Sequence, residues 1–239
     1  MKFNLFIVSL FFLLSLNISA QVGQFSSQFN IETTIPNGFH VKVNGINSTV
    51  DLTKTSGSPY ENDKFVFGKA SDKLTNLSQA YFLRYNVYND EIEMKITVDD
   101  KKTLGLIKSL NNYAVFGNKE YHYEIYSDNN KNTNEGYFIL LSKGKNSSLY
   151  LKKVKTFKDE QKAKDSFREK VSCSFKDSKI YYIKKERILH PLSNKKKELL
   201  VQLSDKENEL KKFIKTEKLN LKKEKDLITL FKYYDSLSN

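Results

Sequence analysis

The densest group of side chains able to do chemistry lies in LRYNVYNDEIEMKITV, residues 83–98, where Asp90, Glu91 and Glu93 interrupt an apolar and aromatic run. Carboxylates held that close in a folded protein could share a proton as an acid–base pair, because like charges push one pKa upward. A hairpin explains them more simply. A two-residue turn at Asn89-Asp90, both tolerant of a left-handed backbone, pairs Val87 with Ile92, Tyr85 with Met94 and Leu83 with Ile96 on one apolar face. The opposite face then pairs Tyr88 with Glu91, Asn86 with Glu93 and Arg84 with Lys95, a solvated or salt-bridged surface. Glu91 and Glu93 stay as binding candidates rather than catalytic ones.

Two other stretches carry candidate residues. In HYE, 122–124, a strand would place His122 and Glu124 on one face, as two zinc ligands could use. The other histidines, His40 and His190, lie at no metal-ligand spacing from them, so the expectation is an exposed pair, with no metal and no cofactor. His190, just before Pro191, reads as a loop residue. GSPYENDKF, 57–65, reads as a turn: Gly57 supplies freedom, Pro59 fixes its φ, and Tyr60 packs back with Phe65 and Phe67. Tyr60, Asn62 and Asp63 project from that turn as ligand candidates. VDDKK, 98–102, pairs two acids in a turn without the spacing of a calcium loop. The chain contains no G-x-S-x-G elbow, no H-E-x-x-H helix and no phosphate-cradling glycine loop. On these motifs the reading leans away from an enzyme without deciding it, with no catalytic residue to name.

The elements that must position these residues follow from composition and pattern. The chain has 239 residues with 40 Lys and Arg against 28 Asp and Glu, a net charge of +12. The positive charge is dispersed and dominated by Lys, so specific nucleic-acid binding is not expected. Residues 1–20 combine Lys2, an apolar run FNLFIVSLFFLLSL and a small residue at Ala20, the layout of a signal peptide. No later apolar segment approaches membrane-spanning length. The single cysteine, Cys173, allows no intramolecular disulfide; in VSCSF it alternates with serines and reads as a small core residue of a strand.

Residues 21–192 show period-two alternation rich in β-branched and aromatic side chains, broken by Asn, Asp, Gly and Ser clusters such as IPNGF, SDNNKNTNEG and SKGKNSS. The spacing predicts an antiparallel β-rich domain: a curled sheet, sandwich or incomplete barrel. The mixed-charge stretch 152–170 reads as a connection with a short helix. From 193 to 239 the period changes to that of helices. Leu199, Leu200 and Leu203 form one stripe, Leu210, Phe213 and Ile214 a second, and Leu227, Leu230, Phe231 and Tyr234 a third. Ser204 with Glu207 has the form of a capping box, and Asn220 of a cap for the last helix. The fold class is therefore α+β, a β-rich domain followed by a small helical C-terminal region packed on it.

GSPYENDKF, LRYNVYNDEIEMK, GYFILLSKGKNSSLYLKKVKTF and DLITLFKYYDSL together resemble a family of exported, uncharacterised proteins of Bacteroidota bacteria. The resemblance implies a basic, bacterial protein sent to the periplasm, cell surface or beyond, with the sequons at Asn47, Asn76 and Asn146 free of eukaryotic glycans. It transfers no activity. The expected function is a binding or cell-envelope module engaging an envelope protein or a glycan. The alternatives are a small-molecule or lipid carrier with a cavity in the β domain, and an enzyme with a site dispersed over distant loops.

Overall fold

The computed structural model describes residues 31–34, 40–43, 55–145, 147–160 and 172–237, the first two segments by backbone alone. Residues 1–20, read as a leader, IPNGF, read as a turn, and Asn47 and Asn146 of the sequons lie outside the described residues. So does the connection from 161 to 171.

Twelve strands are described: β1 (Ile31–Thr34), β2 (His40–Val43), β3 (Val66–Asp72), β4 (Ser78–Asn86), β5 (Glu91–Lys95), β6 (Leu104–Leu106), β7 (Asn112–Phe116), β8 (Lys119–Ser127), β9 (Thr133–Ser142), β10 (Ser148–Lys158), β11 (Ser174–Lys185) and β12 (Ile188–Pro191). They form one sheet in the order β1-β2-β6-β5-β4-β3-β7-β8-β12-β11-β10-β9. β9 also pairs back onto β8, so β8, β12, β11, β10 and β9 close into a five-stranded barrel. The remaining strands continue from β8 as a curled sheet. The β-rich domain expected from period-two alternation is present, and its barrel is closed rather than incomplete.

Alternation sorts the side chains of the barrel strands into two interiors. Phe138, Tyr150, Tyr182 and Leu189, from four different strands, meet inside the barrel. On the outer face of the same strands, Tyr121, Tyr123, Tyr137, Ile139 and Leu151 pack against Leu83, Tyr85, Ile92 and Met94 of the curled sheet. A third core joins Leu149 and Ile183 to the helices α1 (Lys196–Gln202), α2 (Glu207–Thr216) and α3 (Glu224–Ser236). The three leucine stripes face inward as the helical period requires, and the helices share a core with β10 and β11.

Several local expectations change. The hairpin of β4 and β5 pairs Leu83 with Met94 and Tyr85 with Ile92, two positions from the expected register. Its turn has four residues, 87–90, because the Val87 and Tyr88 N–H groups leave the ladder to donate to the Pro59 carbonyl at 2.9 and 3.2 Å. A two-residue shift preserves parity, so Leu83, Tyr85, Ile92 and Met94 are still buried. Ile96 lies beyond the strand and is 49% exposed.

The stretch 152–158 continues β10 and is not helical. β12, whose pattern is too short to stand out, carries His190 in a strand, and its pairing with β8 is parallel. Cys173 precedes β11 and is half-buried, while its carbonyl accepts the Ser56 N–H at 2.8 Å. Neither Ser204 nor Asn220 caps a helix: Lys206 and Lys223 hold the two N-cap positions without side-chain caps. A short 3-10 turn, Ser204–Lys206, replaces the capping box.

The curled sheet depends on one close approach. A Cβ on Gly68 of β3 would collide with the Val115 carbonyl and with Phe116 of β7. Gly68→Ala is therefore expected to lower stability by about 1–3 kcal/mol, the usual range for overpacking, measured as a drop in the urea midpoint. An unchanged midpoint would show that β3 and β7 can move apart at no cost.

Candidate functional site

The GSPYEND segment folds across the open end of the second core. Gly57 takes φ +81°, which a residue with a Cβ adopts only under strain. Pro59 is buried, and the Glu61 N–H donates to the Tyr85 carbonyl at 3.0 Å. The segment, the start of β3 and the β7–β8 turn enclose a cleft of about 480 Å³, lined among others by Tyr60, Glu61, Asn62, Asp63, Arg84 and Lys119. Tyr60, Asn62 and Asp63 all line this cleft. The floor is aromatic, where Tyr85 meets Tyr121 edge-on and Tyr121 stacks on Phe116.

Glu61 is the buried charge of this cleft, and the motif reading passed over it. Lys119 Nζ and Lys153 Nζ contact its Oε1 at 2.6 and 2.7 Å, and the Tyr121 hydroxyl donates to Oε2 at 2.5 Å. Burial pushes the Glu61 carboxyl up, but the hydrogen bonds from Lys119, Lys153 and Tyr121 outweigh it and hold its pKa below the usual carboxylate range. A carboxylate so fixed neither takes nor gives protons near neutral pH. Its partners stand 58 and more residues away, so no local spacing could reveal them.

Arg84 joins the cleft to the hairpin acids. Its guanidinium lies 3.6 Å from the Tyr60 ring centroid and 4.3 Å from that of Phe65. Tyr60 thus meets Phe65 through the arginine, while Phe67 stands 65% exposed against Phe82. Nε and Nη2 of Arg84 donate to Glu93 Oε2 at 3.1 and 2.5 Å, and Nη1 donates to the Asp63 carbonyl at 2.9 Å. Asn86 Nδ2 donates to Glu93 Oε1 at 3.0 Å. Glu93 is therefore buried and saturated with donors rather than solvated. Glu91, opposite Asn86, is half-buried and lies outside the cleft lining. Asp90, at φ +53°, turns inward and not to solvent. It accepts the Tyr85 hydroxyl at 2.6 Å and Lys152 Nζ at 2.7 Å.

His122 and Glu124 share one face of β8, but that face is buried and not exposed as expected, because the barrel closes over it. The Tyr113 ring stacks on His122, with centroids 5.5 Å apart. Lys73 Nζ donates to His122 Nδ1 at 3.1 Å, which leaves Nε2–H to donate to Glu120 Oε1 at 2.6 Å. Glu124 is paired with Lys184 Nζ at 2.5 Å, with the Tyr150 hydroxyl nearby. Lysine ammonium groups already contact His122 and Glu124, and among the described residues no group of three His, Cys, Asp or Glu side chains could hold a metal ion.

Two outcomes follow. Arg84→Ala leaves Glu93 buried without its cation, which should cost about 3–5 kcal/mol of unfolding free energy, read from chemical denaturation; a loss below about 1 kcal/mol would make the pair a surface ion pair in effect. The second concerns pH. Burial, followed by the neighbouring Lys73 charge, holds His122 below its ordinary pKa of 6.5. The unfolded chain then binds the proton that the folded one refuses, so stability falls as pH drops below the unfolded value toward the folded one. In His122→Gln the drop in urea midpoint from about pH 7.5 to 5.5 should be smaller than in the parent; identical drops would assign the proton uptake to other groups.

Among the described residues no helix is long and apolar enough to cross a membrane. In comparisons with known proteins, the chain matches no family model, no curated protein and no solved structure.

Proposed function

We propose that the chain is an exported, non-enzymatic binding module of the cell envelope that takes an acidic glycan in the Glu61 cleft. One observation carries the reading. Lys64, Arg84, Lys119 and Lys155 line the cleft beside two acids, Lys153 adds a fifth cation at Glu61, and Arg84 and Lys155 are themselves paired with Glu93 and Asp177. Glu61 is held by Lys119 and Lys153, and Asp63 accepts the Ser58 hydroxyl. Five cations against four acids leave a positive surplus, and the mouth is open and polar, which suits an acidic, hydroxyl-rich ligand. The lowered Glu61 pKa argues against proton-transfer chemistry there. The leader-like residues 1–20 and the resemblance to exported Bacteroidota proteins support the location.

The carrier alternative has one observation in its favour. A second cleft of about 470 Å³ lies between α3 and β11–β12, with Tyr181, Leu192, Leu221 and Leu227 below Lys179 and Lys222. It offers an amphiphilic acid a small apolar bed beneath two cations. An amphiphile retained through native mass spectrometry would favour this reading.

Calorimetry of residues 21–239 with matched acidic and neutral oligosaccharides tests the first reading. Acidic ligands should bind selectively and weaken as salt approaches about 1 M, where the screening length is about 3 Å. The Lys64→Ala/Lys155→Ala double variant should lose about tenfold in affinity, or about 1.4 kcal/mol, with an unchanged circular dichroism spectrum. Equal binding of neutral and acidic glycans, or none, overturns the proposal.

A further inference from the structure

The contact between Asp90 and Lys152 differs from the other ion pairs in how completely it is built. Lys152 projects from β10 into the barrel and is 7% exposed, with its ammonium 4.9 Å from the Phe138 ring centroid and 5.7 Å from that of Tyr126. Asp90 reaches it from the β4–β5 turn, 62 residues away. Gly136 makes the meeting possible, since a Cβ there would overlap both Asp90 Oδ2 and Lys152 Nζ.

Each atom of the pair is oriented. Lys152 Nζ donates to Asp90 Oδ2 at 2.7 Å and to the Tyr137 carbonyl at 3.0 Å. The Tyr137 N–H donates to Asp90 Oδ1 and Oδ2 at 3.3 and 3.2 Å, and the Tyr85 hydroxyl donates to Oδ1 at 2.6 Å. An amine in hydrogen-bond contact with a carboxyl oxygen stands near the carboxyl carbon, where attack needs a separation of about 3–3.5 Å. Two donors already face the oxygen on which negative charge would build.

We propose that Lys152 and Asp90 condense into an intramolecular isopeptide bond. In the first step the Lys152 ammonium passes a proton to Asp90 Oδ2, giving a neutral amine and a neutral acid. The low dielectric around Lys152 favours this exchange, because it neutralises a buried ammonium together with the carboxylate beside it. The amine nitrogen then forms a bond to Cγ, with the developing charge on Oδ1 held by Tyr85 Oη–H and Tyr137 N–H. Oδ2 departs as water, carrying its own proton and one from the nitrogen. One C–N bond forms, one C–O bond breaks and one water leaves, with no oxidant, metal or cofactor. Burial of the amine is the first cause holding the Lys152 pKa below the ordinary lysine value, consistent with access to the neutral form. Asp90 keeps about a quarter of its side chain exposed, a route for the departing water.

Peptide mapping decides the matter. Trypsin should release peptide 85–95, YNVYNDEIEMK, and a peptide ending at Lys152 or Lys153. If the bond forms, the denatured wild-type digest contains 85–95 joined to 146–153 as one branched species, lighter than the two peptides by the mass of one water. Lys152 is then absent as a cleavage point. Lys152→Arg, which keeps the cation but not the primary amine, and Asp90→Ala should both yield only linear peptides. So should Gly136→Val, which crowds the pair apart while leaving both reactive side chains in place. Linear peptides alone from the folded wild-type protein would overturn the proposal and leave Asp90 and Lys152 as a buried ion pair.

Discussion

Closing the barrel gives β8, β9 and β10 a core on each side, and the rest of the molecule answers to that constraint. An amphipathic strand has a wet face to which its charged residues can turn. These strands have little of one, since Tyr121, His122, Tyr123 and Glu124 are all buried in sequence along β8. A charge that alternation sends inward must therefore meet its counter-charge there, because an isolated ion in a low-dielectric interior is too costly to keep. Glu124 finds Lys184, Lys152 finds Asp90, and Glu61 at the edge of the second core finds Lys119 and Lys153. Each pair joins segments far apart in the chain, so the ion pairs help select one arrangement of the sheet as well as stabilising it.

The tyrosines complete these pairs. Tyr85, Tyr121 and Tyr150 each bury a ring in one of the two cores while pointing a hydroxyl at a carboxylate: Asp90, Glu61 and Glu124 respectively. Burial first, and then the adjacent carboxylate, raises the pKa of all three phenols, so they stay protonated and donate at any physiological pH. A phenylalanine would fill the same volume and leave a carboxylate oxygen short of a donor. The abundance of Tyr is thus more than strand propensity. It supplies neutral donors that bury with their rings, sparing the core a further cation for every acid.

How much of this was legible in the sequence depends on the range of the interaction. Side-chain parity is a local property, and it correctly sends Leu83, Tyr85, Ile92 and Met94 to one buried face even though the turn is longer than two residues. The register was not legible, because what moves it is the Pro59 carbonyl taking the Val87 and Tyr88 N–H groups, a contact across nearly thirty positions. The same limit separates the site residues. Tyr60, Asn62 and Asp63 stand out within one short turn and do line the cleft, whereas Glu61 sits among them unremarked because its partners come from β8 and β10. His122 looked exposed, and Glu93 was left open between solvent and a salt bridge, for a related reason: period two says which face a residue shares, not whether a second layer covers that face.

The chain carries one cysteine, so whatever joins the curled sheet to the barrel across long stretches of sequence cannot be an intramolecular disulfide. Ion pairs such as Arg84–Glu93 act only once the fold has formed, and they leave the unfolded chain as free as before. A covalent link between Asp90 and Lys152 would act on the other side of the balance, by removing conformations from the unfolded ensemble across a span of 62 residues. The two kinds of tie therefore make different demands on the sequence. An ion pair tolerates a shift of an ångström or two, whereas condensation needs the amine, the carboxyl and two hydrogen-bond donors held together away from bulk water. Gly136 serves either tie, because a Cβ there would overlap both Asp90 Oδ2 and Lys152 Nζ, and it is the donors on the carboxyl oxygens that only condensation would call for.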